Sequence, residues 1–231
     1  MREIVFDTET TGLSPNNGDR MVEIGCVEMF NRVETGRSFH AYFNPGRPMP
    51  SEAEAVHGLT DRFLSDKPAF GERCEELLAF IGESPLIAHN AAFDFGFINH
   101  ELGVCGRPVV CTTRMVCTLS LARSKFPGAK HSLDALCARF GVDRSVRVKH
   151  GALIDAQLLA QVYVELTGGR QIGLGLVAEL IDERLDQAAA RGAAPIVATI
   201  RPARPHAPSE AELVRHAAFL AGIPNPIWAT L

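Results

Sequence analysis

No apolar run in the sequence approaches the ~20 residues that a helix needs to cross a bilayer, so no membrane partner is expected. No CxxC pair occurs among the six cysteines, Cys26, Cys74, Cys105, Cys111, Cys117 and Cys137, and most of them have apolar neighbours. Reduced, buried thiols are therefore favoured over a zinc site or a disulfide framework. Positive charge is not in excess either: 23 Lys and Arg stand against 27 Asp and Glu, a net charge of −4. A basic chain would have pointed to nucleic acid through counterion release. Its absence excludes little, because bound metal cations can supply positive charge at a phosphate site. The first residues, MREIVFD, lack the layout of a signal peptide, and a cytoplasmic protein is expected.

What is present is an ordinary globular mixture, 46% hydrophobic and 22% charged over 231 residues. That suffices for a sizeable core in one domain with appended segments, or in two small domains. Glu3 to Asp7 reads as a short strand with Ile4 and Phe6 on one face and Val5 and Asp7 on the other. A turn-rich loop through Gly12, Pro15 and Gly18 leads to strands over Val22 to Val33 and Ser38 to Phe43, separated by a Glu34–Thr35–Gly36 turn. Three strands before any long helix suggest an antiparallel meander. After Pro50 the pattern changes. Ser51 can cap a short helix through Val56, and Pro68 to Ile81 has helical spacing. Pro85 to Ala88 is a short apolar strand, and Asn90 can cap a helix from Ala91 to Leu102. Helices over Thr112 to Ser124, Ser132 to Phe140 and Gly151 to Leu166 complete an α/β pattern, a mixed sheet covered by helices.

Asp7 and Glu9 stand two apart at the end of the first strand, so the strand period turns both side chains to one face, with Cα atoms about 6.5–7 Å apart. No lysine or arginine lies between them, and a shared cation would relieve their repulsion; a plain exposed acidic strand end fits the same triplet. Asp155 lies one turn before Leu158 and Leu159 on the buried face of its helix, where an acid must find a cation or a hydrogen-bond donor. His150 precedes that helix and sets an acid–base group beside the carboxylate; a capping histidine next to a satisfied aspartate is the structural alternative. Asp94 falls in the first turns of the helix after Asn90, among Phe93, Phe95, Phe97 and Ile98, where the macrodipole favours negative charge.

Taken in chain order, DTETTG at 7–12, HNAAFD at 89–94 and HGALID at 150–155 resemble the three motifs of the DEDDh group of 3′→5′ exonucleases. VHGLT at 56–60 and HSLDALC at 131–137 resemble the group's bacterial replicative proofreaders, the epsilon subunits of DNA polymerase III, and the likeness spans roughly residues 1–167. The histidine five residues before Asp155 selects this branch over one using tyrosine. The resemblance implies a ribonuclease-H-like fold, a mixed five-stranded sheet with its first three strands antiparallel and flanking helices. It implies two Mg²⁺ (or Mn²⁺) ions held by Asp7, Glu9, Asp94 and Asp155, and His150 as general base toward the attacking water. Phe93 and His57 would line the pocket for the terminal nucleotide of a DNA 3′ end, and main-chain groups around Thr8 would meet its sugar. Arg144, Arg147 and Lys149 charge the loop before His150; they either approach the DNA backbone or are simply solvated.

These motifs assign residues 1–180 to an exonuclease domain. Ala188 to Pro208, with Pro195, Pro202, Pro205 and Pro208, reads as a semi-extended linker. Residues 209–231, helical from Ser209 to Leu220 and carrying Phe219, Leu220 and the single Trp228, resemble the polymerase-binding tail of epsilon subunits. A helix packed back on the domain is the alternative. Gln171, Leu174 and Leu176, in the stretch 171–176, resemble the short peptides that insert into the sliding clamp, though ordinary helix packing fits them as well. Expected partners are a DNA 3′ end, the polymerase catalytic (alpha) subunit and the clamp. Two rivals remain: a stand-alone exonuclease trimming RNA or repair-DNA ends, and a catalytically silent adaptor between polymerase and clamp. The adaptor would need a broken acid set, and the set is complete.

Overall fold

The computed structural model describes residues 1–145, 147, 149–169 and 207–224. Five strands, β1 (Arg2–Thr10), β2 (Met21–Phe30), β3 (Val33–Tyr42), β4 (Leu86–Ala88) and β5 (Met115–Cys117), form one sheet in the order β3-β2-β1-β4-β5. β1, β2 and β3 pair antiparallel, whereas β4 and β5 run parallel to β1. This is the ribonuclease-H-like mixed sheet that the motifs imply.

Strand alternation divides the core. Ile4 and Phe6 enter one apolar cluster with Phe70 and Leu77 of α3 (Phe70–Ile81) and Phe95 and Leu102 of α4 (Ala91–Val104). Val5 and Ile87 face the opposite way, onto Leu159 and Tyr163 of α7 (Ala152–Leu166). Helix α6 (Leu133–Phe140) packs outside α7 through Leu136 and Cys137 against Leu158 and Val162. The central strand is thus covered on both faces, and β1 runs beyond the expected Asp7 to Thr10. Two further short helices, α1 (Ser51–His57) and α2 (Asp61–Leu64, capped by the Thr60 side chain), follow β3, and α5 (Thr118–Lys125) follows β5.

Several local expectations are corrected. The β2–β3 hairpin turns at Asn31–Arg32, both with positive φ (50° and 64°), and Phe30 pairs with Val33. That is the twist a two-residue hairpin loop requires. Gly36, read as the turn, instead sits with φ 82° in an irregular stretch where the register slips between Val27 and Met29. Thr112 to Ser124 is not one helix: a 3-10 turn (Thr112–Arg114) and strand β5 precede α5. A three-residue strand shows no period of its own, and pairing of Met115 with Leu86 decides its conformation. Asn90 does precede α4, but in the left-handed conformation (φ 64°) and without a side-chain capping bond. Ser51 is the first residue of α1, not its cap.

The chain comprises two units, Met1–Gly175 and Leu176–Leu231. In the second, a helix spans Glu210–Ala221, and the Ser209 hydroxyl and amide both meet the Glu212 carboxylate in a capping box. The expected linker lies outside the described residues except for Ala207 and Pro208, as do Gln171, Leu174, Leu176 and Trp228.

Gly25 positions α7. It pairs with Asp7 across the β1–β2 ladder, and a Cβ there would stand 2.3 Å from the Leu153 Cα. The first turn of α7 therefore lies directly on β2, which only glycine permits. Gly25→Ala is expected to lower unfolding free energy by about 3 kcal/mol through overpacking against backbone. Urea denaturation measures this, and an unchanged midpoint would show that α7 is free to shift.

Candidate active site

The carboxyl end of β1 is where these elements converge. Asp7 and Glu9 share the α7 face of the strand, and Glu9 is 8% exposed. α4 delivers Asp94 and α7 delivers Asp155, both in their first helical turns and both buried. All four acids line one cleft of about 540 Å³, with Thr8, Phe93 and His150 in its walls. The side-chain oxygens of Glu9 and Asp155 and a ring nitrogen of His150 lie within 4.8 Å of one another. Asp7 and Asp94 line the same cleft without joining this tightest group.

Like charges crowded out of water resist ionisation. Burial, then the neighbouring Asp94, Glu9 and Asp155, hold the Asp7 carboxyl well above its usual range. Glu9 is pushed up to about 8 by burial and by Glu23 beside it. Asp94 rises to about 7 through burial, against the lowering effect of its bond from the Thr8 hydroxyl at 2.8 Å. Among the described residues, Arg147 is the cation that touches an acid of the cleft, its guanidinium meeting Asp155 at 2.6 Å. His150, with a side chain 47% exposed, places Nδ1 3.0 Å from Asp155 Oδ2.

The donor set fits divalent cations. Carboxylate oxygens suit hard ions such as Mg²⁺ or Mn²⁺. Asp155 Oδ1 is buried and accepts no aligned hydrogen bond, although the Arg147 Nε lies 2.6 Å away. Such an oxygen has a lone pair to give.

The sequence-derived residues divide. Asp7, Thr8, Glu9, Phe93, Asp94, His150 and Asp155 come together in the cleft. Phe93 also packs on Phe97 at 5.0 Å between ring centres, so it is at once core and wall. His57 does not line this cleft. It lies in a neighbouring cavity of about 310 Å³ with Glu23, His40 and Tyr42, and His150 borders both. The His57 Nδ1 accepts from the Leu59 amide at 3.0 Å, and burial lowers its pKa. Arg144 and Lys149 are exposed and do not line the cleft, whereas Arg147 turns inward. Sequence reasoning passed over Glu23, a buried acid that pairs with Glu9 across the ladder and bonds His40 Nε2 at 2.7 Å. An acid inside the apolar run MVEIGCV is the signal that marks it. Arg123 and His131 also line the cleft without having been singled out.

Acids from three elements gathered at the carboxyl end of a ribonuclease-H-like sheet, with an imidazole at the rim, define a DEDDh-type nuclease. A family model described as "Exonuclease" (RNase_T) matches residues 4–163. The DNA polymerase III subunit epsilon of Rickettsia felis is 53% identical over 185 residues, 79% of this chain and 81% of that protein. The subunit of the same name from Escherichia coli K12 is 47% identical over 176 residues, covering 73% and 72%. Among solved structures, Exonuclease X in complex with 5′ overhanging duplex DNA aligns with a TM-score of 0.56 at 27% identity, over 71% of this chain and 90% of that one. The nuclease domain of 3′hExo, a DEDDh family member bound to rAMP, shares the fold with a TM-score of 0.62 at 15% identity, over 71% and 90%. The chain belongs to the exonuclease family and, within it, to the epsilon subunits of bacterial DNA polymerase III, which makes it a 3′→5′ exonuclease.

The raised acids have a consequence for stability. The folded values of Glu9 (about 8) and Asp94 (about 7) lie above the ordinary 4.5 and 3.8. The folded chain therefore holds protons that the unfolded chain has released across this window, and metal-free stability falls as pH rises from about 4 to about 8. In chelator, the unfolding temperature is expected to be lower at about pH 8 than at about pH 5.5, and Asp7→Asn to reduce the difference. A midpoint that rises over this range would contradict the electrostatic picture.

Proposed function

We propose that the chain removes nucleoside monophosphates one at a time from DNA 3′ ends, as the proofreading subunit of a bacterial replicative polymerase in the cytoplasm, at the nucleoid. The observation that carries this reading is the convergence of Asp7, Glu9, Asp94, Asp155 and His150 in one cleft. The four acids would hold two Mg²⁺ or Mn²⁺ ions. When bound, these cations supply Lewis-acid stabilisation of the charge that develops on the phosphate and on the leaving oxygen.

The chain's own residues do the rest. His150 is exposed enough to reach a water and close enough to Asp155 Oδ2, at 3.0 Å, to be oriented by it. With Nδ1–H directed to that carboxylate, Nε2 is the atom that takes the water proton. The water oxygen then attacks the terminal phosphorus, and the 3′-oxygen of the penultimate nucleotide leaves with its bonding pair. Phe93 offers a ring edge or face to the terminal base, and the Thr8 hydroxyl fixes Asp94. His57, one cavity away, borders the space behind His150 and would meet the terminal nucleotide from that side.

Docking is assigned to the tail. Leu213 and Phe219 of the helix Glu210–Ala221 are exposed, as expected of a segment that buries them on a partner. With Leu220 and Trp228 they would bind the polymerase alpha subunit and hold the exonuclease at high effective concentration beside it. Gln171, Leu174 and Leu176 would engage the sliding clamp.

Two results are expected. His150→Ala should release mononucleotides from single-stranded DNA with Mg²⁺ about 10²–10⁴-fold more slowly, and Asp7→Ala at least as slowly. Wild-type rates in either variant would sink the mechanism. In a pull-down, the alpha subunit should be retained by the full chain and lost by residues 1–180; equal retention removes the tail from polymerase binding.

A further inference from the structure

Arg147 stands where the acids and the base meet. Its side chain is 8% exposed although it carries a full charge. Nε lies 2.6 Å from Asp155 Oδ1 and Nη2 lies 2.6 Å from Oδ2, so the fork faces both oxygens of that carboxylate. Nη1 lies 2.7 Å from Asp134 Oδ1 on α6. Nη2 is also 2.5 Å from His150 Nδ1.

These contacts conflict with the use of Asp155 as a metal ligand. A guanidinium facing both oxygens crowds the carboxylate and repels a second cation there, although lone pairs remain on each oxygen. On the Oδ1 side the contact is close but not aligned as a hydrogen bond. The hold there is electrostatic rather than directional, and a smaller, doubly charged ion competes well against it. Asp134, half exposed and also paired with Arg144 at 2.9 Å, gives Arg147 an anchor that does not depend on Asp155.

The same geometry reaches the base. A guanidinium nitrogen can only donate. With Arg147 in place, His150 Nδ1 must accept, which puts the ring proton on Nε2. With Arg147 withdrawn, Nδ1 donates to Asp155 Oδ2 and Nε2 is free to accept.

We propose that Arg147 is an internal counter-cation, which neutralises Asp155 in the metal-free chain and competes with the divalent cation for that carboxylate. Metal entry and withdrawal of the guanidinium from Asp155 and His150 are then one event. Arg147 is a positioning residue in this account, and the inference rests on the reading of Asp155 as a metal ligand.

Calorimetric titration of Mn²⁺ into the full chain, without DNA, reads the competition directly. Arg147→Met is expected to bind Mn²⁺ about tenfold more tightly than wild type. Arg147→Lys, which keeps the charge but loses the fork, should fall between the two. Thermal unfolding separates competition from lost packing. The Met variant should unfold below wild type in chelator, and at or above it in saturating Mn²⁺. Equal or weaker Mn²⁺ binding by Arg147→Met, where wild type binds, overturns the proposal. So does an equal drop in unfolding temperature with and without Mn²⁺. Failure of wild type itself to bind Mn²⁺ would overturn the metal reading, and this proposal with it.

Discussion

Mutual repulsion among buried carboxylates is the constraint around which this domain is arranged. Asp94 and Asp155 are almost wholly removed from water, Glu9 nearly so, and Asp7 lies between them. Leaving one such charge unpaired in a low-dielectric setting costs several kcal/mol, so without a cation Asp7, Glu9 and Asp94 in this rigid frame hold protons to higher pH than usual. The frame is the central strand: β1 is hydrogen-bonded to β2 and β4 and covered by α3 and α4 on one face and α7 on the other. The missing side chain of Gly25 lets α7 lie close enough to bring Asp155 to Asp7 and Glu9. The left-handed Asn90 turns the chain from β4 into α4 so that Asp94 arrives from the opposite face.

Much of this was legible in the sequence, for a physical reason. Strand period two puts Asp7 and Glu9 on one face, and helix starts put Asp94 and Asp155 in first turns; these are local rules that hold whatever surrounds them. The tail helix was legible too, because Ser209 and Glu212 form a local capping box. What escaped was set by long-range packing. β5 is three residues long and owes its conformation to β4. The Asn31–Arg32 turn lacks the glycine that advertises such loops, while Gly36 nearby misled by having one. Glu23 was invisible as a site residue, and Arg147 was read only as a charge for the DNA backbone or solvent, because their importance lies in what faces them: Glu9 across a ladder, and Asp155.

Charge is distributed in a way the net value conceals. The total of −4 says nothing of the cleft, whose walls carry Arg123 and Arg147 beside the four acids. A polyanion can approach such walls while the acids are neutralised by metal. A chain without a strong overall field gains little long-range attraction to DNA. The proposed tethering to a polymerase would answer that deficit, since linkage replaces attraction as the source of local concentration.

The central claim, that this acidic cluster exists to hold cations for hydrolysis, can be tested by counting them. Equilibrium dialysis of the full chain against Mn²⁺, with a deoxynucleoside monophosphate present to complete the cleft, should give two ions per chain, as a two-metal hydrolytic site requires. Asp155→Asn should bind fewer. Finding no bound ion, or the same number after that substitution, would contradict the account.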